Sequence, residues 1–239
     1  MNVQELLEEL RANLLRDVSD EVDARDTGLL WSDRTLVRYI NDGQVKFAVE
    51  TGLLRDETTE AITRITLVEG QEQYALDARV IAVLGSRIGP KWHLSRTTYG
   101  ALFSNRGDVS LGYVRLGPCA NGTPRRFYTD RETGKIGVYP APDADSAGKT
   151  LVLRVTRKPL QSLIASNLQA VPEIPEEYHL DMLEWAAWRA LRNHDVDAEN
   201  MAKASAHKTR FEQAIKELSR EAKRLQAQDL QFDVRTNWE

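Results

Sequence analysis

The spacing of apolar residues changes twice along the chain, and this change restricts the possible folds more than any other feature. Near both ends, apolar side chains recur every three or four residues, which is typical of amphipathic helices. Between about residues 60 and 156 they alternate with polar side chains, which is typical of half-buried strands. A chain with helices at both ends and strands between them is expected to form an α+β fold.

Two helices are predicted before the strands. The first follows an apolar stripe over residues 3–18. The second is expected after Ser32, whose hydroxyl can cap it, with Asp33 near the positive end of the helix dipole. Gly43 lies inside this second helix, where glycine costs about 1 kcal/mol relative to alanine. We therefore predict that Gly43 allows a neighbouring backbone to approach closely.

The middle of the chain predicts short strands and one long loop. Residues 125–129 and 135–139 flank a five-residue loop rich in turn residues, which predicts a hairpin. Residues 86–121 contain five glycines and are predicted to form a long loop with one short helical turn, following a strand that ends at Gly85. Further strands are predicted at residues 65–67, 80–84 and 151–155.

Helices return in the last third of the chain. Pro175 occupies the favoured first position of a helix that is predicted to run to about Asn193, and a final helix is expected from Asp197. The pattern as a whole predicts a four-helix bundle built from both chain ends with an inserted small β domain. The predicted domains are 1–59 with the N-terminal bundle helices, 60–160 with the β domain and its long loop, 161–228 with the C-terminal bundle helices, and 229–239 as a tail.

Composition excludes several classes of protein. The 239 residues include 36 Asp and Glu against 32 Lys and Arg, a net charge of -4. This balance argues against tight, sequence-independent binding of duplex DNA, which requires many cations. Cys119 is the single cysteine, so a disulfide within the chain and a cysteine-ligated zinc site are excluded. No apolar run reaches the length of about 20 residues that a bilayer requires, and no membrane association is expected.

No catalytic motif is complete. Residues 148–150 (Gly-Lys-Thr) resemble the end of a phosphate-binding loop, but Asp143 stands where glycine is needed and a strand follows, so we predict a turn. His179, His194 and Asp195 suggest an HD-type metal-dependent hydrolase, although the last two fall in a predicted turn where such residues usually cap helices. The sequence therefore predicts a protein that is not an enzyme and holds no cofactor or metal.

The helix after Pro175 has a second apolar face. Trp185 and Trp188 point away from the alanine-rich face, together with Arg192. Large aromatic and arginine side chains often anchor interfaces, so Trp185, Trp188 and Arg192 form a candidate subunit interface. Packing of the two tryptophans against the strand domain of the same chain is the alternative.

The end of the chain is more apolar than most termini. Leu230, Phe232 and Val234 alternate with polar residues, and Trp238 follows. An extended segment of this kind can add to a sheet edge or fill a groove of another protein. These four residues are therefore a candidate docking tail. The alternative is a last strand that returns to the protein's own sheet.

Several segments, in this order and spacing, resemble the head-to-tail adaptor (connector) proteins of tailed phages. Trp-Ser-Asp-Arg-Thr-Leu-Val-Arg-Tyr-Ile-Asn-Asp at 31–42 is similar to the opening helix of that family, and Tyr-Pro-Ala-Pro at 139–142 is similar to the end of its hairpin. The long 86–121 loop and the acidic first helix depart from the family pattern. The segments that carry the resemblance are 31–42, 74–83, 127–142, 174–179 and 185–191, with Phe211 in the last helix.

The resemblance implies a structural role without catalysis. Such proteins form a ring of twelve copies beneath the portal, continue its DNA channel, and present a surface to tail or tail-tube (nozzle) proteins. The C-terminal segment, here with Leu230, Phe232, Val234 and Trp238, would dock on the portal protein. Genomic DNA would pass through without specific binding, in the virion neck, after assembly in the host cytoplasm. The alternatives are another neck or tail-tube component, or the HD-like hydrolase.

Overall fold

The computed structural model describes residues 1–17, 29–90, 92–103, 121–193 and 198–235, with the side chains of the last helix described over residues 200–220. The chain divides into two compact units. We call Met1–Leu54 with Pro159–Glu239 the helical unit, and Arg55–Lys158 the strand unit.

Six α-helices occur in the described residues. A π-helical turn, Leu10–Leu15, continues the first of them, and a 3-10 turn, Glu176–Tyr178, leads into the fifth. The third and fourth helices belong to the strand unit, and the others belong to the helical unit. The helices are α1 Val3–Glu9, α2 Asp33–Thr51, α3 Glu60–Thr63, α4 Tyr99–Phe103, α5 His179–Asn193 and α6 Ala198–Arg235.

Local sequence signals set the limits of α2. The Ser32 hydroxyl accepts a hydrogen bond from the Thr35 backbone N–H at 3.3 Å, so the predicted N-cap is confirmed. Gly52 ends the helix with a φ of 61°, a left-handed conformation that glycine adopts without a steric penalty.

Gly43 lies at the crossing of α2 and α5. A Cβ atom added to Gly43 would lie 2.9 Å from the backbone oxygen of Met182, which is shorter than real Cβ contacts. The predicted close approach of a neighbouring backbone is therefore confirmed. The crossing brings the apolar faces of the two helices into the core of the helical unit, whose fully buried members include Leu36, Ile40, Phe47, Leu183, Ala186 and Phe211.

The strand unit is built around one long strand. β8 pairs antiparallel with β1, β2 and β4, and the sheet continues from β4 in the order β5, β6, β7 and β3. All pairings are antiparallel except that of β5 with β6. The strands are β1 Arg55–Asp56, β2 Arg64–Thr66, β3 Gln73–Ala75, β4 Val80–Ile88, β5 Trp92–Arg96, β6 Arg126–Tyr128, β7 Lys135–Tyr139 and β8 Thr150–Arg157.

The predicted α+β fold, a four-helix bundle with an inserted small β domain, is wrong. The protein has a mixed α/β fold in which a curled sheet of eight strands accompanies the six helices. The prediction ended a strand at Gly85, but β4 continues to Ile88 because β8 supplies hydrogen-bonding partners on the far side of the glycine. The 86–121 segment contains the short helix α4, in agreement with the predicted helical turn, but it also contains the strand β5, which was not predicted. Its residues 104–120, with Cys119, lie outside the described residues.

The hairpin prediction is confirmed. β6 and β7 pair antiparallel, with Phe127 opposite Val138 and Tyr128 opposite Gly137. A Cβ atom on Gly137 would lie 2.1 Å from the ring of Tyr128, so glycine at this position makes room for the tyrosine. The turn predicted at 148–150 is also present, because Gly148 has a φ of 77° and β8 begins at Thr150.

A buried ion pair joins the start of the strand unit to the end of β8. The Asp56 carboxylate accepts hydrogen bonds from the backbone N–H groups of Thr58 and Thr59 and from Arg157 Nε at 2.7 Å. The side chains of Asp56 and Arg157 are 3% and 12% exposed. Burial alone would raise the pKa of Asp56, but hydrogen bonds from Thr59, Arg157 and Thr58 outweigh it and hold the pKa well below its usual value.

We expect Asp56→Asn to lower the free energy of unfolding at pH 7 by about 3 kcal/mol, because it removes the buried carboxylate charge that pairs with the Arg157 guanidinium. A carboxyl whose folded pKa is lowered stabilises the protein above its unfolded pKa, and that stabilisation is lost as the pH falls through the folded value. The difference between wild type and variant should therefore shrink below about pH 4. Urea unfolding at several pH values measures it, with exposed Asp145→Asn as the control. A difference independent of pH would contradict this account.

We expect Gly43→Ala to destabilise the protein by about 1–2 kcal/mol, although alanine is the better helix former. The new methyl group would collide with the Met182 backbone oxygen. Thermal or urea unfolding measures the change. Val45→Ala, at an exposed position of the same helix, should have little effect. An unchanged or higher stability of Gly43→Ala would show that the two helices can separate at no cost.

Candidate protein-interaction surfaces

The three residues of the candidate subunit interface lie on one face of α5. Trp185, Trp188 and Arg192 are spaced three and four residues apart, which places them in a row along a helix. The indole rings of Trp185 and Trp188 have centroids 4.5 Å apart, and the Arg192 guanidinium lies 5.4 Å from the Trp188 ring. The structure therefore brings the three predicted residues together. Their role as an interface remains a prediction.

Trp185 contacts the neighbouring helices α2 and α6. Its ring lies 5.0 Å from that of Phe211 in α6, and the Lys46 ammonium of α2 lies 5.9 Å from its centroid. Its indole Nε1 is buried and has no hydrogen-bond partner among the described residues. Trp185 thus packs between helices of its own unit, whereas the alternative in the sequence analysis was packing against the strand domain.

Trp188 forms the outer edge of the row. Two cations flank its ring, Arg192 at 5.4 Å and Lys208 of α6 at 5.7 Å. Cation–π contacts at partly exposed sites contribute about 0.5–1 kcal/mol each. A partly buried aromatic ring beside two cations has the chemistry of an interface anchor.

An acidic cluster lies on the same helix pair. Glu184 contacts His207 Nδ1 at 2.5 Å and Arg210 at 3.6 Å. Burial raises the pKa of Asp181, and the nearby carboxylates of Glu184 and Glu217 raise it further. The cluster ties α5 to α6 through charge as well as through the aromatic contacts.

The predicted extended tail is wrong for residues 229–235, because α6 continues as a helix to Arg235. The alternating pattern covers only five residues, and no glycine or proline occurs anywhere from Ala198 to Arg235 to end the helix. Leu230, Phe232 and Val234 therefore lie on a helical backbone, while Trp238 lies outside the described residues. Docking by this segment remains a prediction.

Of the residues named for metal hydrolysis, only His179 lies within the described part of the chain. His179 is buried, and its Nε2 lies 2.8 Å from the backbone oxygen of Ile174. His194 and Asp195 lie outside the described residues. Within the described residues there is no group of three or more His, Cys, Asp or Glu side chains that could hold a metal ion. None of the helices in the described ranges is long and apolar enough to cross a membrane.

A second surface, missed by the sequence analysis, lies on the outer face of the sheet. In the register, Val152 of β8 is opposite both Arg64 of β2 and Arg87 of β4. Arg154, two residues further along β8, is opposite Gly85. Directly opposite residues of antiparallel strands point to the same side, so these arginines share one face.

Arg55 of β1 extends this surface. It is opposite Thr156, which lies two residues beyond Arg154 on β8 and therefore on the same side of the strand. We call Arg55, Arg64, Arg87 and Arg154 the basic face. Arg87 bonds to Glu57 at 2.9 Å, while the other three arginines form no ion pair with any residue in the described part of the chain. The signal that could have found this face is the charge of the middle of the chain counted by itself.

The described surfaces thus include a row of aromatic and cationic side chains on α5 and a basic face on the sheet. A sequence model of the SU10 adaptor protein family matches residues 1–234, which is nearly the whole chain. The chain therefore belongs to this family, a family of phage head-to-tail adaptors, and the predicted family resemblance is confirmed. A search among curated proteins gives no match.

We expect Trp185→Leu to lower the free energy of unfolding by about 2 kcal/mol and Trp188→Leu by less than about 1 kcal/mol. The first ring is held between Phe211 and Trp188, whereas the second faces cations at the surface. Urea unfolding of the two variants measures the difference. An equal loss, or a larger one for Trp188→Leu, would contradict the assignment of Trp185 to the interior.

Proposed function

We propose that this protein is a structural adaptor of a tailed phage that forms a ring beneath the portal, extends the DNA channel and docks the tail. The family match over residues 1–234 supports the proposal, because the matched family is one of phage head-to-tail adaptors. We propose twelve copies in this ring, which is the number that the family resemblance implies. The protein acts by holding partners together, without catalysis, cofactor or metal.

In this proposal, the row of Trp185, Trp188 and Arg192 along α5 contributes to contacts between neighbouring copies. Trp188 and Arg192 supply an aromatic ring and an exposed cation at the surface, and Trp185 holds Trp188 in place from the interior side. Many weak copies of one contact around a closed ring give a stable assembly through avidity. The geometry that supports this role is the unbroken row of the three side chains along one helix.

The proposed portal contact uses the end of α6 and the residues after it. Leu230, Phe232, Val234 and Trp238 would fill a groove of the portal protein. A helix can do so as well as a strand, by laying apolar residues into a hydrophobic groove. Because the backbone of residues 229–235 is helical, we propose that this segment binds the portal groove as a helix.

The tail side of the ring would bind tail or tail-tube (nozzle) proteins, and genomic DNA would pass through the channel without sequence-specific contacts. The net charge of -4 is consistent with a passage that does not retain DNA. Assembly would take place in the host cytoplasm before the tail joins the head.

Removal of residues 229–239 should abolish binding to the portal protein while the subunit stays folded. The lost residues include every apolar member of the proposed docking segment, whereas the described contacts of α6 with α5 and α2 occur before them. Co-sedimentation with purified portal rings measures binding, and circular dichroism checks the fold. A matched control replaces the polar residues Gln226 and Gln228 by alanine in the full chain and should bind. Normal binding by the truncated protein would show that the portal contact lies elsewhere.

A further inference from the structure

Charge is unevenly divided between the two units. Residues 55–158 contain 16 Lys and Arg against 11 Asp and Glu, a net charge of +5. The remaining residues contain 16 Lys and Arg against 25 Asp and Glu, a net charge of -9. The modest net charge of the chain therefore conceals two oppositely charged parts, and each copy can present both signs to its neighbours.

Part of the excess positive charge lies on the basic face of the sheet. Arg55, Arg64 and Arg154 are exposed there, without ion pairs to described residues. A groove with a volume of about 1130 Å³ adjoins this face, lined among others by Arg64, Lys149 and Trp92, whose side chain is 45% exposed. The surface thus combines free cations with an open aromatic ring.

The carboxylates of the strand unit do little to neutralise this face, since many of them are engaged elsewhere. Asp56 pairs with Arg157. Asp77 accepts two hydrogen bonds from Arg79, which with the Arg79 backbone N–H lower the pKa of Asp77 to about 2. The carboxylates that do lie beside the basic face are Glu57 and Glu60.

A complementary acidic surface lies at the start of the helical unit. Glu5 and Glu8 are exposed on α1, three residues apart and so on one side of the helix. The Met1 amino nitrogen lies 4.0 Å from Glu5 and 2.9 Å from Glu176, which places the turn before α5 beside α1. Exposed Glu177 follows directly. We call Glu5, Glu8, Glu176 and Glu177 the acidic face.

We propose that the basic face of one copy binds the acidic face of the next copy. Such a contact joins two different surfaces of identical chains and therefore closes into a ring when the rotation between copies allows it. This inference rests on the proposed ring. It identifies the charged contact that would fix the orientation of each copy relative to the next.

Duplex DNA is the other polyanion that a basic surface could bind, but the observations favour a protein partner. Glu57 and Glu60 lie among the cations of this face and would repel the phosphates of a duplex. An exposed tryptophan beside a groove suits side chains of mixed character better than a row of phosphates. A second copy supplies acidic side chains on a helix surface of the same chain.

Charge reversal tests the contact. Arg64→Glu with Arg154→Glu should weaken assembly at least about tenfold, and Glu8→Lys with Glu177→Lys should do the same, because each change sets like charges against each other. The chain with all four substitutions has the wild-type net charge and should assemble again. Sedimentation velocity over a range of protein concentrations, at low and high salt and with or without portal rings, measures the oligomer. Wild-type assembly should weaken as salt increases.

The matched control is Arg125→Glu with Arg126→Glu, which makes the same charge change in the same unit at the start of β6, three strands away from β8. This variant should assemble as wild type does. If wild type assembles and both charge-reversal variants also assemble, the proposed contact is wrong but the proposed ring is not contradicted. If wild type stays monomeric even with portal, the proposed ring itself fails. If Arg64→Glu with Arg154→Glu assembles but loses retention of duplex DNA in a gel, the basic face binds nucleic acid and the inference is overturned.

Discussion

The pairing of β8 with its neighbours is the constraint on which the strand unit depends. Three strands hydrogen-bond directly to β8, so its register decides which side chains enter the core and which leave it. Leu151 and Leu153 are buried on one side, while Val152 and Arg154 belong to the other. The Asp56–Arg157 ion pair fixes one end of this arrangement. A slip by one residue would bury the arginines and expose the leucines, so the basic face and the core are two consequences of one register.

The helical unit depends on a close helix crossing in the same way. Gly43 lets α2 approach α5, and this approach brings Phe47 within reach of Phe211 of α6, with ring centroids 6.2 Å apart. Trp185 completes the aromatic contact from α5 and leaves Trp188 at the surface. The two tryptophans of the row that we propose for subunit contacts thus pack against the core of the helical unit. A packed support of this kind suits the subunit contact that we propose for this row.

Local signals in the sequence predicted local structure well. Ser32 predicted a helix start and the turn before β7 predicted a hairpin, because each depends on neighbours a few residues away. Glycine inside the helical pattern at position 43 predicted a close approach, but the sequence did not identify Met182 as the neighbour. Signals that depend on distant strands were missed. Gly85 looked like a strand end because the partner that carries the ladder past it comes more than sixty residues later. The eight-stranded sheet therefore replaced the expected small β domain.

The same reason explains which surface was found and which was not. Trp185, Trp188 and Arg192 lie within one helix, so their common face could be read from spacing alone. Arg64 and Arg154 are ninety positions apart and share a face only through the register of β2 on β8. The predicted extended tail is wrong for residues 229–235 because the alternation of apolar and polar residues there is short. The sequence of α6 contains no helix-breaking residue, so the helix continues to Arg235.

We propose that this SU10-family adaptor works as a closed ring on a phage portal. Electron microscopy of the purified protein mixed with portal rings would show whether such a ring forms. We expect a second ring with twelve copies, coaxial with the portal and extending its channel. Portal rings that carry scattered single copies, or none, would contradict it.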